Sequence, residues 1–139
     1  MLKEVAKHLG EKIPGRRNAT YTKPFERGLI CMEPAPVYIP KTKKQATLDD
    51  CVKETFFVSA SGSAANGVGT RVMRHFPTLM LWATKFVVFV SDDAITEELL
   101  KRYTERAGKL IGLGRFRPQN GGYYGMFRVE SVKPTKVEF

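Results

Sequence analysis

The chain has 139 residues, 42% hydrophobic and 11% aromatic, enough apolar material for a single folded domain and too much for wholesale disorder. Its net charge of +9 creates a field that draws polyanions such as nucleic acid or an acidic membrane face. Two cysteines, Cys31 and Cys51, exclude a disulfide framework; with His8 and His75 they match no metal-ligand spacing, so neither metal nor cofactor is expected.

In chain order, "LKEVAKHLGEKI" sets Leu2, Val5, Ala6, Leu9 and Ile13 at helical spacing, which predicts a short amphipathic helix ending at Gly10 or at Pro14-Gly15. The opening residues lack the apolar centre of a secretory signal, so a cytoplasmic protein is expected. From Arg16 to Pro40 the prolines 24, 34, 36 and 40 predict irregular chain, with one short strand in "GLICMEP". "PKTKKQATLDD" reads as an exposed loop and "CVKETFFVSA" as a strand. "SGSAANGVG" reads as a mobile loop; it does not match the G-x-S-x-G pattern of a nucleophile elbow.

"TRVMRHF" alternates, with Val72, Arg74 and Phe76 on one face and Arg71, Met73 and His75 on the other. Residues 79–90, including "FVVFV", are expected to form a well-covered strand in a hairpin with it. The run "TLMLWATKFVVFV" is interrupted by Lys85 and too short to cross a bilayer, so no membrane partner is expected. Next comes a helix, with Thr96 as N-cap, Glu97 and Glu98 in its first turn, and Leu99, Leu100, Tyr103, Ala107 and Leu110 on one apolar face. A glycine-rich stretch follows, and "MFRVESV" alternates as a final strand. The content is therefore α+β.

The stretch "IGLGRFRPQNGGYYGMFRV" carries most of the functional signal. A Walker loop needs G-x-x-x-x-G-K-[ST] before a helix, and a dinucleotide loop needs G-x-G-x-x-G after a strand; this stretch follows a helix and has neither pattern. A nucleic-acid backbone asks instead for guanidinium groups and flat rings. Arg115 and Arg117 flank Phe116, and Tyr123 and Tyr124 lie between glycines, an interleaving that suits a single strand. The charge agrees: residues 61–90 and 111–139 each carry a net +3.

A helix running into this stretch resembles the glycine-rich loop of the RAMP superfamily, the ferredoxin-like RNA-binding proteins that include backbone and processing subunits of CRISPR complexes. The resemblance covers residues 79–132 best, and "GTRVMRHFPTLMLW" with "GLGRFRPQNGGYYGMF" is similar to a group of small proteins of tailed phages and integrated elements. It implies a ferredoxin-like antiparallel sheet with helices on one face. Gly112, Gly114, Gly121, Gly122 and Gly125 would shape a loop between the last helix and the last strand. No initial core strand is evident before the first helix, which leaves an edge for a second chain to complete.

The expected function is single-stranded RNA or DNA binding, with Arg71, Arg74, Arg115, Arg117 and Arg128 supplying charge and Phe116, Tyr123 and Tyr124 stacking. Two alternatives stand beside it. One is a phage interaction protein that oligomerises or poses as a CRISPR subunit to block host defence. The other is a metal-independent ribonuclease using His75 as general acid or base.

Overall fold

Helix α1 (Leu2–Leu9) stops at Gly10, whose φ of 60° turns the chain left-handed while its N–H still reaches the Ala6 carbonyl. The computed structural model describes residues 1–60 and 70–136, so the "SGSAANGVG" stretch lies outside the described residues. After a tight turn closed by an Ile13 N–H bond to the Ala19 carbonyl comes a second helix, α2 (Thr22–Arg27). This corrects the irregular chain expected there. Pro24 sits in the first turn of α2, where its missing N–H has no helical partner to lose.

The strands β1 (Leu29–Cys31), β2 (Val37–Tyr38), β3 (Val52–Ser59), β4 (Arg71–Thr78), β5 (Ala83–Thr84) and β6 (Val88–Val90) precede α3 (Glu97–Leu110). They pair antiparallel as β1 with β6, β2 with β5 and β3 with β4, three two-stranded ladders. The chain is thus mixed α and β with small antiparallel sheets, and the four-stranded sheet of a ferredoxin-like arrangement is not among the described ladders. The expected hairpin of β4 with residues 79–90 is corrected too. β4 runs through Pro77, which lies opposite Lys53, and takes β3 as its partner. In a two-stranded ribbon both strands are edges, so a proline can turn its missing N–H outward. Residues 79–90 instead split into β5 and β6, with Met80, Leu81, Phe86 and Val87 exposed. The expected closing strand is absent as well: residues 126–136 carry no strand.

By its contacts the chain divides into two compact units, Met1–Met32 with Val88–Phe139, and Glu33–Val87. Among the described residues, the ten buried hydrophobic ones all belong to the first. Thr96 caps α3, its hydroxyl accepting the Leu99 N–H at 3.3 Å, and the helix buries Leu99, Tyr103 and Ala107, whereas Leu110, expected on that face, is exposed. The Tyr103 ring is fully buried, stacked on Phe25 with centroids 4.6 Å apart and meeting Tyr21 edge-on. Its hydroxyl donates to Glu11 at 3.0 Å, and the same carboxylate pairs with Arg102.

Burial, then the hydrogen bond to Glu11 and that carboxylate's charge, hold the Tyr103 phenol well above the usual tyrosine range. In the unfolded chain it ionises near about pH 10, so the stability it contributes is whole below that pH and is lost as the pH rises further. Thermal melts are therefore expected to fall less steeply above about pH 10 in Tyr103→Phe than in the parent. Equal slopes would remove Tyr103 as the alkaline-sensitive group.

Candidate nucleic-acid interface

Helix α3 delivers the glycine stretch directly. Ile111 and Gly112 both donate to the Ala107 carbonyl, and Gly112 then takes a φ of 70°. From there the chain closes on itself: Leu113 donates to the Gly125 carbonyl at 2.9 Å, Tyr124 to Phe116 at 2.9 Å, and Gly122 to Arg117 at 3.1 Å. A short 3-10 turn, Pro118–Asn120, lies between, and the Asn120 amide reaches back to the Arg115 carbonyl at 2.9 Å. Phe127 bonds to the Gly108 carbonyl and ties the loop to α3.

Two of the five predicted glycines explain why this closure needs glycine. A Cβ on Gly125, where φ is 70°, would stand 1.6 Å from the Leu113 carbonyl oxygen, and one on Gly122 would stand 2.0 Å from that of Phe116. Backbone cannot step aside as a flexible side chain can. Gly114 and Gly121 also have positive φ but face open space.

The closed loop gathers its rings and one guanidinium into a row. Arg115 lies over the Phe116 ring at 5.8 Å, Phe116 meets Tyr124 edge-on at 6.5 Å, and the Tyr123 and Tyr124 rings are 4.5 Å apart. Tyr123 is 70% exposed at one end of the row and Arg115 is exposed at the other, while Phe116 and Tyr124 between them are half-buried. Arg117 is half-buried, and its Nε is sealed from solvent with no hydrogen-bond partner. Arg128 is exposed just beyond Phe127. Residues 111–129 include no Asp or Glu.

The remaining predicted residues lie in the other unit, on β4. The expected alternation holds. Arg74 stands opposite Phe56 in the register and donates to the Ala60 carbonyl at 3.1 Å. Arg71 and His75 stand on the opposite face, where His75 Nδ1 shares a 2.8 Å hydrogen bond with the Thr55 hydroxyl. That face also presents Phe57, 67% exposed and paired with Met73. Phe57 escaped the sequence reading, although the period-two pattern of "KETFFVS" places it on the same side as Thr55.

Among the described residues no group of three or more His, Cys, Asp or Glu could hold a metal ion, and no helix is long and apolar enough to cross a membrane. No protein-family model, curated protein or solved structure matches the chain.

Proposed function

We propose that the protein binds single-stranded nucleic acid, RNA or DNA, against the glycine loop. One observation carries this reading: Arg115, Phe116, Tyr124 and Tyr123 form a continuous row, cationic at one end and with an open ring at the other, on a loop free of carboxylates. The Tyr123 face can stack on any base, and the exposed Arg115 at the other end of the row can meet a phosphate. The likeness of "GLGRFRPQNGGYYGMF" to the RAMP glycine loop accords with this and supports a RAMP-like, phage-derived protein acting in the host cytoplasm. The loop motif alone supports that kinship; the three two-stranded ladders add nothing to a ferredoxin-like sheet.

The test is fluorescence anisotropy on a labelled single strand of about 30 nucleotides. Tyr123→Ala is expected to lose one stacked base, about 1–3 kcal/mol or roughly 5- to 150-fold in affinity. Arg115→Ala is expected to reduce the slope of log K against log salt by about 0.7. Parent affinity that does not change with salt, or a Tyr123→Ala protein that binds like the parent, defeats the reading. Labelled RNA incubated with the parent also tests the ribonuclease alternative, which needs cutting that His75→Ala abolishes.

A second reading, an assembly subunit, has its own observation. None of the described residues of 33–87 is buried, while Val37, Leu48, Phe57, Met73, Met80, Leu81 and Phe86 are exposed there. Apolar surface of that kind is what a second chain, or a defence complex mimicked by this one, would cover. Size-exclusion chromatography with and without the strand separates the two: a shift only with nucleic acid supports the first, and oligomers without it support the second.

A further inference from the structure

A cleft of about 390 Å³ opens beside α2, lined by Ile13, Arg16, Thr20, Lys23, Arg27 and Asp92 among others. Its cations are brought together by local structure. Lys23 and Arg27 are four residues apart on α2 and so share one side of the helix. Arg16 is set by the tight turn before it, donating its N–H to the Ile13 carbonyl at 3.1 Å and accepting from Ala19 at 2.9 Å. Buried Ile13 and Pro24 make the wall apolar.

The charges around this cleft do not balance. Asp92 is its sole carboxylate, against three cations. Among the described residues Glu26 pairs with Lys3 and Glu11 with Arg102; the Glu26 carboxylate also feels the charges of Arg27 and Lys23, without a close ion pair to either. Asp92 itself is occupied, its Oδ1 accepting the Ala94 N–H at 2.9 Å, and it is packed so closely on Gly28 that a Cβ there would lie 2.7 Å from its own. Three cationic side chains line one concavity, where an anion would find their charges on the same side of the fold. Two guanidinium forks and an ammonium match the oxygens of a phosphate group.

We propose that this cleft binds a polyphosphate or terminal phosphate group, carried either by a free nucleoside polyphosphate or by the end of a nucleic-acid strand. Arg16, Lys23 and Arg27 hold the phosphate oxygens, and Asp92 limits the affinity by opposing the ligand's charge. This does not rest on the glycine-loop reading, since the first probe, inorganic pyrophosphate, has no base to stack.

Calorimetric titration of the whole protein with pyrophosphate, in sodium chloride of matched ionic strength, tests it. Binding is expected at a single site, weakened about tenfold or more by Lys23→Ala and by Arg27→Ala. Asp92→Asn keeps the Oδ1 acceptor for Ala94 and removes the opposing charge, so it is expected to bind pyrophosphate several-fold more tightly, a gain that damage to the fold would not produce. Displacement by a nucleoside triphosphate assigns the source to free nucleotide; preference for a 5′-phosphorylated over a 5′-hydroxyl strand assigns it to a strand end. No pyrophosphate binding above the chloride control at millimolar concentration, or an Asp92→Asn protein that binds no better than the parent, overturns the proposal.

Discussion

Tyr103→Ala is expected to cost about 3–5 kcal/mol, a large share of the roughly 5–15 kcal/mol that holds a whole domain together. The ring is fully buried, stacked on Phe25 and edge-on to Tyr21, so truncation opens a cavity where α2 and α3 meet. Among the unit's described residues ten hydrophobic ones are buried, and of these only Tyr103 is both larger than valine and without exposure. Tyr103→Phe keeps the ring and loses the 3.0 Å bond to Glu11, for about 1 kcal/mol. Urea melts separate the two: a Tyr103→Ala unfolding free energy within about 1 kcal/mol of the parent would mean that the aromatic cluster does not hold the helices.

Gly125→Ala is expected to abolish the loop while Gly114→Ala leaves it closed. Both glycines have positive φ, which costs an alanine about 1–2 kcal/mol at either position. At Gly125 alone the new methyl meets a carbonyl oxygen at 1.6 Å, so the strands of the loop must part and the Leu113 bond to Gly125 is lost. Strain and lost bond together come to about 3 kcal/mol, and the row of Arg115, Phe116, Tyr124 and Tyr123 disperses. Strand affinity is expected to fall more than about tenfold in Gly125→Ala and to stay within about twofold of the parent in Gly114→Ala. Equal losses in the two variants would show that the backbone conformation, and not the close approach of the two limbs, is what the glycines serve.

The candidate loop could be recognised from its letters because glycine, arginine and tyrosine have few reasons to crowd together. The letters did not reveal which glycine does what. Gly114 and Gly125 look alike in sequence, and only the fold brings one of them against Leu113. The basic cleft was hidden for a different reason. Pro24 argued against a helix, so Lys23 and Arg27 had no common side until α2 was seen to tolerate a proline in its first turn.

Local pattern alone was enough for α1, β3 and α3, for the opposite facing of Arg71 and Arg74, and for the cap at Thr96, because each depends on residues within one or two turns or on simple alternation. Tertiary structure decided the rest. β4 pairs with β3 and not with the apolar run after it, and residues 126–136 pair with no strand, choices between distant segments that a local pattern cannot rank. A strand's side-chain period states which face is apolar, but any antiparallel partner of matching register satisfies it equally.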